Sequence, residues 1–297
     1  MDTKAPLTEP LMLDTLMNYL VAMARTVESA MNRALDAIVS LDDPRTAALP
    51  GEVFLLEPRI NEMEIVIDEQ AIRLLRQGAL PEEELRLIVA GLKLNNDLER
   101  IGDLAVNLAE RVVSLREMPG AEAPEELSRM VSAVRAMVSQ SLGALISRNV
   151  EMASKVLESD DVVDKYRDRI FERQLWRMTG EPDSVRSGLQ FVLATRHLER
   201  IADHATNIAE DIIFWVRGLD VRHGRGRGGL RESHITENSQ TLHSDVTAGR
   251  HTDHVIFTSC PTSGIGCTPG SDPLLLSMWR RRRARNLLTR PGSPTIV

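Results

Sequence analysis

At 297 residues, with 42% hydrophobic but only 3% aromatic side chains, the chain can bury two ordinary cores without a disulfide or metal staple. Abundant Leu, Ala, Val, Ile and Met beside a 27% charged fraction disfavour a strand-rich fold and point to an all-α one. The net charge of −7 is unevenly spread: eleven basic and six acidic residues from Leu219 onward make +5, which leaves −12 for residues 1–218 and excludes the basic track a nucleic-acid binder needs.

Metal cations or cationic protein surfaces suit such an acidic body better. Met1-Asp2-Thr3-Lys4 does not lead through a basic stretch into an apolar one, and no window approaches the ~20 apolar residues of a membrane span. The expectation is a cytoplasmic protein that meets a membrane only through its partners. Two cysteines, Cys260 and Cys267, agree with a reducing compartment.

Taken in chain order, the first element is an amphipathic helix over about 8–41, whose apolar stripe runs Leu13, Leu16, Leu20, Val27, Met31, Ala34, Ile38. Pro50-Gly51 predicts a turn. A second helix spans about 54–77 and stops near Gly78. Pro81 followed by Glu82, Glu83 and Glu84 opens a third, because proline fits a first helical turn and acids suit its dipole. It lasts to Pro119-Gly120, a length usual in a helical bundle. Leu127, Met130, Val134, Met137, Leu142 and Leu145 trace a fourth helix, a fifth covers about 153–178, and a sixth follows Pro182-Asp183 to about Gly218.

The second trio repeats the first. Leu98-Glu99-Arg100-Ile101 recurs as Leu198-Glu199-Arg200-Ile201, and nine of the thirteen positions from 98 to 110 are identical after a shift of 100. Two copies of one unit follow, residues 1–118 and 119–218, each of three helices. Residues 219–297 change to Gly, Ser, Thr, His and Arg without sustained periodicity and predict an atypical, disordered tail. Within it, His251, His254, Cys260 and Cys267 match no common zinc spacing, and Arg280-Arg281-Arg282-Arg283 reads as a solvated basic run.

At 100° per residue, Glu99, Asp103 and Glu110 fall on one side of the third helix beside Asn107, opposite Leu94, Ile101, Ala105, Leu108 and Val112. Glu199, Asp203, Asn207 and Glu210 repeat that stripe on the sixth. Carboxylates four apart repel when bare, whereas a hard multivalent cation turns the repulsion into shared coordination. Asp160 and Asp164 on the fifth helix, with Glu57 and Asn61 as their weaker counterparts on the second, supply acids from a neighbouring helix. His204, at the edge of the apolar side, reads as a packed, hydrogen-bonded histidine, and His197 has no repeat partner.

The two strings, Asn96-Asp97-Leu98-Glu99-Arg100-Ile101-Gly102-Asp103 through Asn107-Leu108-Ala109-Glu110 and Leu198-Glu199-Arg200-Ile201-Ala202-Asp203-His204 through Asn207-Ile208-Ala209-Glu210, resemble the signature motifs of the PhoU family. The resemblance spans about residues 8–218. It implies a pair of three-helix bundles, frequent homodimers, and acidic motifs that in some members hold iron or zinc clusters, with manganese or magnesium as alternatives and no organic cofactor. Carried onto this chain, the metal role falls first on Glu99, Asp103, Glu199 and Asp203, then on Asp160 and Asp164, with Glu57, Glu110 and Glu210 as further donors. By the same resemblance the partners are the phosphate ABC transporter ATPase and the phosphate-sensing histidine kinase, and the role is restraint of the phosphate-starvation response without catalysis. A di-iron carboxylate enzyme would need Glu-x-x-His pairs, but Gly102 and Ala202 stand where histidine would. A metal-free acidic adaptor is the other competing reading.

Overall fold

The computed structural model describes residues 9–222 apart from 77 and 79, so the tail from residue 223 onward, with its Cys, His and Arg groups, lies outside the described residues. Seven α-helices carry the fold: α1 Glu9–Val39, α2 Leu49–Leu75, α3 Glu82–Arg116, α4 Glu125–Ser147, α5 Val150–Leu157, α6 Asp160–Gly180 and α7 Val185–Arg217. No strand occurs among the described residues. The all-α, duplicated plan read from the repeat therefore holds, and the predicted fifth helix is divided into α5 and α6.

The division falls at Glu158 and Ser159, where the Ser159 hydroxyl donates to the Lys155 carbonyl at 2.9 Å and Asp160-Asp161 open the next helix with acids at its positive end. No glycine or proline marks it. A second local difference concerns Pro50-Gly51, which form the first turn of α2 rather than a loop before it. Proline's missing N–H costs nothing at that position, so the residue that reads as a breaker is an initiator. Pro81, before the acidic start of α3, behaves as the pattern requires.

Each helix buries the stripe its sequence displays. Leu16, Leu20, Met23, Val27, Met31, Ala34 and Ile38 of α1 are fully covered, as are Leu94, Leu98, Ile101, Ala105, Leu108 and Val112 of α3. α1, α2 and α3 pack on one another as the first repeat; α4, α5, α6 and α7 form the second. The repeats join chiefly through α3 against α7, with α1 against α4 as a smaller joint where Arg135 reaches Asn32 at 2.8 Å and Asp36 at 2.6 Å. Arg116, at the end of α3, donates to the carbonyls of Leu41, Thr46 and Ala47 and so ties the α1–α2 connection to the bundle.

The sharp turn from α4 into α5 is built on Arg148, whose φ of +52° lies in the left-handed region. Asn149 then caps α5 by accepting from the Met152 amide at 3.0 Å, and the Arg148 guanidinium lies 5.0 Å from the Trp215 ring centroid on α7. Contact with the neighbouring helix thus offsets the strain that a non-glycine residue bears in this conformation.

α4 is, by length and composition, apolar enough to cross a membrane, which corrects the expectation that no segment comes near that size. Half of that stretch is buried in the bundle, where Leu127, Met130, Val134, Val138, Leu142 and Leu145 face α7, α6 and α5. A core helix of a duplicated bundle satisfies the same length and hydropathy as a span.

Candidate functional site

Of the sequence-predicted acids, Glu99 and Asp103 lie in a seam between α2 and α3, and Asp160, Asp164, Glu199 and Asp203 in one between α6 and α7, rather than on a bare outer surface. In the first seam the helices run antiparallel, and their register is fixed where a Cβ placed on Gly102 would stand 3.1 Å from Ile60 Cδ1. The missing side chain lets α2 approach α3 closely. About two turns away, the buried Asn95 amide donates to the Glu64 carbonyl at 3.0 Å and to Asp68 Oδ1 at 2.9 Å.

This register sets Glu64 of α2 beside Glu99 and Asp103 of α3, with Asp68 one turn further along α2 beside Asn95. Only 14% of the Glu99 side chain is exposed, and its Oε2 is buried with no hydrogen-bond partner; the nearest cation, Arg100 Nε, is 3.4 Å away. Burial, and then the charge of Asp103, push the Glu99 carboxyl up to about 7, with Glu64 adding to the effect and Arg100 opposing it. Burial and Asp68 also raise Glu64. Arg100 Nη1 reaches Asp103 only at 3.6 Å, so this seam holds more negative charge than its own cation neutralises.

The second seam has the same acids and a different resolution. Asp160 and Asp164 of α6 face Glu199 and Asp203 of α7, and burial followed by the charges of Glu199, Asp160 and Asp164 raises the Asp203 carboxyl. Between the helices lies Arg167: its Nη1 is 2.6 Å from Glu199 Oε1 and 2.8 Å from Asp164 Oδ1, while Nε and Nη2 hold Asp168 Oδ1 at 3.0 and 2.9 Å. The guanidinium occupies the place where charge would otherwise accumulate.

The sequence shift of 103 that pairs Asp160 and Asp164 with Glu57 and Asn61 also pairs Arg167 with Glu64. Glu99 therefore meets a like charge where Glu199 meets an opposite one. Glu64, Asp68 and Arg167 were absent from the sequence-derived site, although continuing that shift one turn further along the helix exposes the reversal. Glu57 stands two turns before Glu64 on α2 and Asn61 is exposed, so neither is the nearest α2 neighbour of Glu99.

Glu110 and Glu210 lie seven residues, about 10 Å of helix rise, beyond Asp103 and Asp203 and outside both seams. Glu110 is half exposed and pairs with Arg111 at 3.3 Å. Glu210 borders a 470 Å³ cleft at the joint of the repeats, lined also by Lys93, Asn96, Asp97, Asn207 and Asp211. At that joint His204 Nδ1 contacts Asp97 Oδ1 at 2.7 Å and Asn207 donates to the same oxygen at 3.3 Å, in line with the packed role expected of this histidine. Lys93 Nζ meets the buried Asp211 at 3.0 Å, and burial pushes the Asp211 carboxyl up against that hydrogen bond. His197 is pushed down to about 4 by burial and by Arg111, Arg200 and Arg196.

Among the described residues, no three His, Cys, Asp or Glu side chains converge as a ready-made ligand set. The first seam nevertheless has the chemistry of a hard-cation site, with oxygen donors only and an orphaned buried carboxylate oxygen. The second, with Arg167 inserted, does not fit.

The paired helical repeats recur in known proteins. The sequence profile of the PhoU domain matches residues 20–112 and 127–212, one match on each repeat. The chain belongs to the PhoU family. The phosphate-specific transport system accessory protein PhoU homolog of Pseudomonas aeruginosa is 36% identical over 214 residues, 71% of this chain and 86% of that protein. The homolog of the same description from Clostridium acetobutylicum is 30% identical over 210 residues, 70% of this chain and 94% of that protein. The crystal structure of PhoU from Pseudomonas aeruginosa superposes with a TM-score of 0.68 at 33% identity, covering 71% of this chain and 100% of that one. The phosphate transport system regulatory protein PhoU from Streptococcus pneumoniae gives 0.64 at 25% identity, covering 72% and 99%. The family match ends at residue 212, within α7.

Proposed function

We propose that this PhoU-family chain is a cytoplasmic, non-enzymatic regulator of phosphate uptake that restrains the phosphate-starvation response by docking, as a homodimer, on the phosphate transporter's ATPase and on the phosphate-sensing histidine kinase. The observation that carries the reading is the match of both repeats, over nearly the whole length of relatives described as phosphate transport accessory and regulatory proteins. The acidic body, at −12 over residues 1–218, suits cationic surfaces on such partners and supports binding rather than catalysis as its mode of action. Co-purification from phosphate-replete and phosphate-starved cells should recover the ATPase and the kinase. Absence of both in both conditions would overturn the assignment.

The Glu64, Glu99 and Asp103 seam is, in the same proposal, a site for a multivalent cation such as iron, zinc, manganese or magnesium. A cation there supplies positive charge that Arg100 delivers only at 3.4 and 3.6 Å, and so joins α2 to α3. Protein purified without chelator should carry metal that the Glu99→Gln, Asp103→Asn double variant loses, measured by elemental analysis. Unchanged metal content in the variant, or only trace metal in both, favours the metal-free adaptor.

A further inference from the structure

The resemblance places metal-binding acids on both repeats, with the weaker set on α2 of the first, and the two seams differ further at one position on the helix facing the motif. In the first, Glu64 faces Glu99; in the second, the equivalent position is Arg167, in contact with Glu199. We propose that Arg167 is the resident cation of the second seam, closing it to metal and leaving the two repeats chemically inequivalent. This inference rests on the reading of the carboxylate seams as cation sites.

Three features of Arg167 carry it. Its guanidinium engages three carboxylates at once, with contacts of 2.6 Å to Glu199, 2.8 Å to Asp164 and 2.9 Å to Asp168. Charge-assisted bonds of this length, made by a planar fork with all its nitrogens engaged, are among the stronger polar contacts a protein makes. The side chain is also largely covered, at 29% exposure beside a Glu199 at 25%, so solvent screens that pair less than at an open surface. Moreover, Nη1 lies between an acid of α6 and an acid of α7, the location a bridging metal would need.

An external divalent cation could enter only if the guanidinium left, breaking these bonds and bringing two positive charges close together during the exchange. In the first seam the resident cation is held more loosely, with Arg100 standing 3.4 Å from Glu99 and 3.6 Å from Asp103, and Glu64 adds a donor. The charge reversal also separates the two roles. The second repeat is tied across its seam by its own side chain, whereas in the first a bound cation would add to the Asn95 hydrogen bonds that already join α2 to α3.

The test is equilibrium dialysis of the full chain against Mn²⁺, with bound metal read by elemental analysis and by the manganese electron paramagnetic resonance signal. In the wild-type chain, Glu199→Gln with Asp203→Asn should leave bound Mn²⁺ unchanged. Arg167→Gln should raise it, about twofold where the first seam is also loaded, and the gain should vanish when Glu199→Gln and Asp203→Asn are added. Arg167→Lys keeps the positive charge and should stay near the wild-type level, and circular dichroism confirms that each variant keeps its helices.

A loss of bound Mn²⁺ from the wild-type background on substituting Glu199 and Asp203 would overturn the proposal, as would an Arg167→Gln variant that gains none. Failure of the first-seam reading looks different. Wild-type chain without Mn²⁺ beside an Arg167→Gln chain that binds it removes the first site and leaves the role of Arg167 intact.

Discussion

Phe191→Ala costs the folded chain about 4 kcal/mol and lowers its thermal midpoint by roughly 10 °C, the largest effect expected of any single truncation here. Phe191 on α7 is fully buried and heads the largest enclosed side chains. Removing its ring forfeits the transfer free energy of the aromatic carbons and leaves a cavity that long, laterally packed helices cannot collapse to fill. The equivalent position in the first repeat is Gly91, where a Cβ would already stand 3.4 Å from Leu20 Cδ1, so the two repeats fill matching space from different helices. Leu189→Ala, at a half-exposed position on the same helix, should change stability by about 0.5 kcal/mol or less and serves as the control. Urea denaturation monitored by circular dichroism measures both. Equal midpoints for the two variants would show that the interior around α7 is loosely packed.

In the metal-free chain, stability should fall as pH rises from about 4.5 to about 7, because of Glu99. Its carboxyl is raised from the ordinary 4.5 to about 7 by burial and by the charge of Asp103. The unfolded chain releases this proton near 4.5 and the folded chain keeps it until about 7. Between those values the folded state binds the extra proton, so raising the pH favours unfolding, and above the upper value the loss is complete. Discounted for the solvent that still reaches the side chain, the loss is about 2 kcal/mol. Glu99→Gln carries no such charge and should be the more stable protein at pH 8, with a shallower pH profile between 4.5 and 7. The slope does not vanish, because Glu64 is raised in the same direction. Denaturant titrations at pH 4.5, 6 and 8 of chelator-treated protein measure it. A wild-type profile parallel to that of Glu99→Gln would show that the buried oxygen is neutralised by something other than its own proton.

Added cation should act in the opposite sense. Charge compensation at Glu99 lowers its affinity for the proton, so metal that binds the first seam should restore stability at pH 7 and above, with little effect near pH 4.5.

Much of this architecture is legible in residue order because helical periodicity is a local property. The stripe from Leu13 to Ile38, the acidic opening after Pro81 and the recurrence of Leu98-Glu99-Arg100-Ile101 at residue 198 each need no knowledge of a distant residue. Local signals also misled where one residue type serves two purposes. Pro50-Gly51 reads as a turn but starts α2, and the break at Glu158-Ser159 carries neither glycine nor proline. The helical wheel sets the acids opposite the apolar stripe of each helix, but it does not foretell that the Glu99 side chain is only 14% exposed.

Residue order by itself determined that the chain is a duplicated helical protein of the PhoU type and that each copy carries a Glu-x-x-x-Asp face. Only the tertiary structure decided what those faces meet. Which α2 and α6 side chains lie opposite Glu99 and Glu199 depends on how far each helix slides past its neighbour, and that is set by contacts such as Ile60 against Gly102 rather than by any periodicity. The same motif therefore confronts Glu64 in one repeat and Arg167 in the other. Electrostatic interaction falls with distance through space, and sequence separation does not measure that distance.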